Sequence, residues 1–261
     1  MALTAAAGDT ATPAAAGEDD VEGQLRWVEA AQPVERLCTV ALQCREGGAP
    51  TKTPGELTYG ELPLRQLRAV LAQVAERGGL PEGGSFFDLG SGGGKLVLGA
   101  GLLCPQLGTL VGIELLRPLV SEAEVLQGRV LSEGGARLSE GQRAACAAAR
   151  FVAGDVLDTA TLAAAGADCT RRASRCHAAP RTLTAPWRAG VASAASGPTL
   201  LMVNGLCFST SLRTAICERL AAASSTATFV ASTSPLPLPT EAFELVFTNE
   251  DVRTLLAATH R

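Results

Sequence analysis

Residues 85–104 read SFFDLGSGGGKLVLGAGLLC, an apolar run that ends in an acid, breaks into four glycines between positions 90 and 94, and turns apolar again. A run of strand length, a glycine turn and a helical segment make a strand–loop–helix unit whose loop backbone is bare enough for a ligand to approach. Two phosphate ligands fit it poorly. A Walker loop needs Gly, four residues, then Gly-Lys-Ser/Thr, but Gly94-Lys95 is followed by Leu96, and the opening position is Leu89. A dinucleotide loop of GxGxxG form built on Gly90 and Gly92 requires glycine at 95, where the chain has lysine.

The pattern of apolar run, break and helix recurs downstream. Further runs are GTLVGIE (108–114), RFVAGD (150–155), TLLMVN (199–204), ATFVAST (227–233) and FELVF (243–247), with helical segments at 95–104, 116–132, 139–149 and 210–223. Alternating units of this kind predict an α/β fold, a doubly wound and mostly parallel sheet covered by helices on both faces, with the ligand beyond the carboxyl ends of the first strands.

A third ligand, S-adenosylmethionine, explains the acid that the phosphate ligands do not need. Asp88 ends the first strand, where a carboxylate takes the ammonium of the methionine portion directly or through water, while Gly90, Gly92 and Gly94 let backbone approach. Glu114 ends the second strand and is placed to accept both ribose hydroxyls, a position that dinucleotide folds share. Asp155 ends the third strand, where an adenine amino group is recognised. Any one of these acids reads equally well as a solvated loop carboxylate or a helix cap. Their recurrence at consecutive strand ends favours the nucleoside, and with it the Rossmann-like fold of class I S-adenosylmethionine-dependent methyltransferases.

The rest of the chain bounds this reading. Of 261 residues, 47% are hydrophobic and 18% charged, as in a soluble domain with a substantial core. Residues 1–19 are rich in Ala, Gly, Thr and Pro and read as a disordered tail, with neither the basic start nor the apolar stretch of a signal peptide. Residues 20–54 read as a helical lead-in and loop, with Leu25, Val28, Val34 and Leu37 at helical spacing around Pro33. The folded domain is expected over 55–261, opening with an amphipathic helix on Leu64, Leu67, Val70, Leu71 and Val74 and interrupted by an insertion at about 158–198. No apolar stretch approaches the roughly 18 residues that cross a bilayer, so no membrane partner and an intracellular location are expected.

The eight cysteines form no CxxC pair, and Cys169, Cys176 and His177 match no zinc spacing, so neither disulfides nor metal are expected. The net charge of −4, with one short basic run at Arg171–Arg175, argues for weak or no intrinsic nucleic-acid binding.

The ordered motifs TYGEL (58–62), FFDLGSGGGK, LVGIE, AGDVL and VNGLCF (203–208) resemble those of the disruptor-of-telomeric-silencing (Dot1-like) class, the non-SET histone lysine methyltransferases. The resemblance spans about residues 55–248. It implies that Tyr59, Gly60 and Glu61 close over the methionine end of the cofactor, and that Asn204 and Phe208 line a channel for the incoming lysine. Methyl transfer is an in-line displacement helped by alignment and exclusion of water, and desolvation in such a channel lowers the lysine pKa without a dedicated base.

The implied activity is lysine N-methylation of a basic protein, a core histone, in the nucleus. The alternatives are another protein or a small molecule as acceptor, or a catalytically idle partner module. Lys95 and Leu62 stand where the nuclear members carry Gln and Thr, and the chain lacks their aromatic gate near the C-terminus and their long basic tail.

Overall fold

In a computed structural model, the described residues are 18–46, 61–77, 80, 83–158, 160–162, 164–165, 199–203, 208–223, 228–236, 243–247 and 254–258. The chain enters through α1 (Glu18–Ala31) and α2 (Val34–Glu46). They part at Pro33, which has no N–H to continue α1 and whose carbonyl accepts from Arg36 N (3.2 Å) as α2 begins. α1 opens at Glu18, two residues inside the expected tail, whose other residues lie outside the described ones. α3 (Leu64–Glu76) buries Leu64, Leu67, Val70, Leu71 and Val74, the stripe that the helical spacing predicts.

Alternation then sets in with β1 (Ser85–Leu89), α4 (Lys95–Leu103), β2 (Thr109–Glu114), α5 (Arg117–Glu133), α6 (Glu140–Ala148) and β3 (Arg150–Ala153). After β4 (Thr199–Val203) come α7 (Thr210–Ala223), β5 (Thr228–Ser232), β6 (Phe243–Phe247) and β7 (Thr254–Ala258). The strands form one seven-stranded sheet in the order β3-β2-β1-β4-β5-β7-β6. All pairings through β5 are parallel, while β7 runs antiparallel between β5 and β6. The chain has the Rossmann-like fold of class I methyltransferases. Its last strand, at residues 254–258, follows the run FELVF and is antiparallel to both neighbours.

β1, β2 and β4 read as continuous apolar runs because the sheet is covered on both faces. Phe86 and Leu110 face a core shared with Leu25 and Val28 of α1, Leu67 of α3 and Leu98 of α4. Phe87 and Val111 face the opposite core with Leu201 and Ile216. Full burial of a large side chain such as Phe86 or Phe87 contributes about 2–3 kcal/mol. The expected insertion at about 158–198 lies mostly outside the described residues. Residues 160–162 and 164–165 are helical, and Leu162 and Ala165, each 1% exposed, pack into the second core against the sheet.

Two boundaries follow from cores that no local pattern reveals. α1 and α3 share one core with the sheet, so the lead-in packs as part of the same body as the strands. A smaller cluster of Leu37 and Ala41 from α2 with Leu116 and Leu119 fixes α2 beside the start of α5.

Candidate functional site

The site is built at the carboxyl ends of β1, β2 and β3, which lie side by side in the sheet. Leaving β1, the chain turns through Gly90 (φ 84), Gly92 (φ 51) and Gly94 (φ 80), left-handed conformations that L side chains adopt only under strain. Gly90 N and Ser91 N both donate to Ile113 O, at 2.8 and 3.0 Å, and Gly94 N closes back on Ser91 O at 2.8 Å. α4 then starts with no side chain capping its first turn.

Glu114 holds this loop from β2. Its Oε2 accepts from Gly92 N and its Oε1 from Leu116 N, both at 2.9 Å. Burial raises the Glu114 pKa, while hydrogen bonds from the Leu116, Gly92 and Leu115 amides oppose that rise. A carboxylate has about four acceptor sites, so about one remains for a hydroxyl donor after these three amides.

Asp88 lies beneath the loop, 1% exposed. Its Oδ1 is buried with no hydrogen-bond partner. Burial, and secondarily the Glu114 charge, push its pKa up to about 8. Of the four buried side-chain polar atoms without a partner among the described residues, Asp88 Oδ1, Ser91 Oγ and Gln32 Oε1 border this one loop, and the fourth is Ser85 Oγ. Gln32 borders it because a methyl added at Gly93 would run into Gln32 Oε1 and into Leu37 Cδ1 at 2.7 Å. Native interiors leave few such groups, and their concentration at one loop marks where a ligand's donors belong.

The remaining expected residues fall as follows. Asp155 is exposed just past β3, and its Oδ1 accepts from Leu157 N at 2.8 Å. Phe208 packs onto the loop, since a methyl added at Gly90 would lie 2.7 Å from Phe208 Cζ. Glu61 Oε2 sits 2.6 Å from Lys95 Nζ, in a pair whose side chains are 21% and 9% exposed. Lys95 occupies the first turn of α4, the end of a helix that disfavours cations, and Glu61 offsets this. Leu62 is buried in the core with Leu25 and Leu64. Tyr59, Gly60 and Asn204 lie outside the described residues, as do Cys169, Cys176, His177 and Arg171–Arg175.

Sequence reasoning missed Gln32 and Ser91. A polar residue before Pro33 at a helix corner carries no periodic signal, and Ser91 is hidden among glycines. Among the described residues, no group of His, Cys, Asp and Glu could hold a metal ion, and no helix is long and apolar enough to cross a membrane. Burial pushes the thiols of Cys104 and Cys217 up to about 11 and of Cys146 up to about 12, so none is a ready nucleophile.

No protein-family model matches the chain, and no curated protein sequence matches it. Solved structures do. The rRNA methyltransferase aviRa from Streptomyces viridochromogenes is 15% identical with a TM-score of 0.47, over 85% of this chain and 90% of that one. An S-adenosylmethionine-dependent methyltransferase from Clostridium acetobutylicum is 13% identical with a TM-score of 0.35, over 66% of this chain and 50% of that one. The mitomycin 7-O-methyltransferase MmcR is 13% identical with a TM-score of 0.42, over 92% and 67%. These are distant likenesses, and the strand order of the sheet carries the fold assignment by itself.

Proposed function

We propose that this chain binds S-adenosylmethionine across the ends of β1, β2 and β3 and transfers its methyl group to a nucleophile. The observation that carries the reading is Asp88 Oδ1, a buried carboxylate oxygen with no partner beneath a glycine loop. A cationic group at the loop satisfies it, and the ammonium of the methionine portion is such a group. Ser91 Oγ adds a second waiting polar atom, Glu114 retains acceptor capacity for a ribose hydroxyl, and Asp155 stands past β3 to accept from the adenine amino group. When bound, the cofactor supplies a methyl group on a positively charged sulfur. The chain's own part is to orient that group and exclude water, with Phe208 packed over Gly90 as the apolar wall of the loop.

For the acceptor we propose a lysine of a basic protein, a core histone first. Support comes from the resemblance of TYGEL and VNGLCF to the Dot1-like enzymes and from the net charge of −4, which attracts basic partners and disfavours nucleic acid. On that reading the protein works in the nucleus.

The test is incubation with labelled S-adenosylmethionine and a panel of nucleosomes, free histones, other basic proteins, RNA and a small-molecule extract, at two salt concentrations. Free histone should be labelled at least as well as nucleosomes, with weak salt dependence. Label in RNA or small molecules alone overturns the acceptor and spares the cofactor. Binding without any transfer leaves an idle module.

Gly90→Ala probes the wall directly. The substitution strains a left-handed residue and drives a methyl into Phe208, so S-adenosylmethionine affinity should fall about tenfold or more. Calorimetry giving an affinity within twofold of the parent would separate Phe208 from the cofactor site.

A further inference from the structure

Gln32 lies outside the nucleotide fold, at the corner between α1 and α2, yet its amide is fixed against the glycine loop. It is 4% exposed. Its Nε2 donates to Glu122 O in α5 at 3.0 Å, which sets the amide plane, and its Oε1 borders Gly93. The corner around it is tied down twice more. Arg129 donates to Ala31 O, and Arg36 pairs with Glu122 at 2.8 Å. Leu37, the next buried residue of α2, also borders Gly93 and joins Leu116 and Leu119, just past Glu114. The corner therefore touches both segments that carry the site, the β1–α4 loop and the start of α5.

Gln32 Oε1 is a buried acceptor that accepts nothing. Such a group lowers stability unless another state of the protein uses it. The two ends of a peptide unit point in opposite directions. An ammonium at the loop draws carbonyls toward it, and a peptide unit that turns its carbonyl to the ligand turns its N–H to the rear. Gln32 Oε1 is the one unpartnered buried side-chain acceptor behind Gly93 among the described residues.

Building on the cofactor reading above, we propose that Gln32 is a positioning residue for the amino-acid end of S-adenosylmethionine: its carbonyl oxygen accepts a loop amide in the ligand-bound state. The α1–α2 corner is then a working wall of the cofactor site. Affinity depends on an element that precedes the strands, and Gln32 acts without touching the ligand.

The experiment compares the chain with its Gln32→Met variant, which fills similar space and removes the acceptor together with the Nε2 donor to Glu122 O. Calorimetry measures affinity for S-adenosylmethionine and for methylthioadenosine, which keeps the nucleoside and lacks the amino-acid end. Thermal unfolding of the ligand-free proteins is measured alongside. The expected result is about a tenfold loss for S-adenosylmethionine, methylthioadenosine affinity within twofold of the parent, and an unfolding temperature unchanged or raised.

Equal losses for both ligands, or a loss matched by a lower unfolding temperature, would mean that Gln32 is only a structural residue and would overturn the proposal. Unchanged affinity for both would do the same. A parent protein that binds neither ligand would instead overturn the cofactor reading itself.

Discussion

Asp88→Asn should reduce S-adenosylmethionine affinity by about a hundredfold to a thousandfold while making the ligand-free protein more stable. The loss follows from removing a buried carboxylate from an ammonium, a charge-assisted contact whose rupture costs about 3–4 kcal/mol. The gain follows from the same burial. The Asp88 pKa stands at about 8 in the folded chain against an ordinary 3.8, so the folded state holds a proton that the unfolded state releases between those values. Its contribution to stability is full below about pH 4 and is lost as pH rises to about 8. An uncharged amide has no such slope, and at neutral pH it should stabilise the fold by an amount on the order of 2–4 kcal/mol.

Cation binding selects the ionised carboxylate. Below pH 8 the parent should release a proton on binding, with affinity rising between pH 6 and 8. Calorimetry in buffers of different ionisation enthalpy, with thermal melts of both proteins, checks all of this. Retained affinity in the variant would remove Asp88 from the site.

Glu114→Ala should also abolish binding, by about a hundredfold or more, but with the opposite effect on stability. Its carboxylate accepts the Gly92 and Leu116 amides, so truncation removes the ribose acceptor and frees the backbone of the loop that holds the rest of the ligand. Each abandoned amide costs about 1–2 kcal/mol, and the melting temperature should fall by several degrees. Glu114→Gln, which keeps one acceptor oxygen, should lie between. Paired melts and titrations decide the matter. A variant that binds normally, or that loses binding with an unchanged melt, would break the link between loop and ribose.

Much of the sheet was legible because buried parallel strands read as apolar runs, and helices such as α3 carry their stripe in the spacing. The glycine loop and the placement of the acids at 88, 114 and 155 at or just past strand ends were legible for a related reason. Turn chemistry and strand ends are local properties, visible one segment at a time. What stayed hidden depends on residues far apart in sequence. Glu114 reads as a ribose acid but also holds Gly92 across the β1–β2 pair. Lys95 reads as a departure from a family pattern but pairs with Glu61. Gln32 reads as an ordinary polar residue ahead of a proline. The placement of Leu162 and Ala165 in a core was invisible because the Ala-rich stretch around them has no period.

The ties of the α1–α2 corner also have a consequence for how the molecule is made. Ala31 meets Arg129, Gln32 meets Glu122, and Gln24 bonds Gln142, across separations of 98, 90 and 118 residues. At a synthesis rate of about 5–20 residues per second, α1 emerges roughly 6 to 24 seconds before Gln142 exists to receive it. Its apolar stripe, with Leu25 and Val28, has no sheet to cover during that interval. Docking closes loops of 90 to 118 residues, an entropic cost like that of pairing β1 with β4 across 114 residues. α1 and the corner behind Gly93 are therefore made first and anchored only once α5 and α6 have followed.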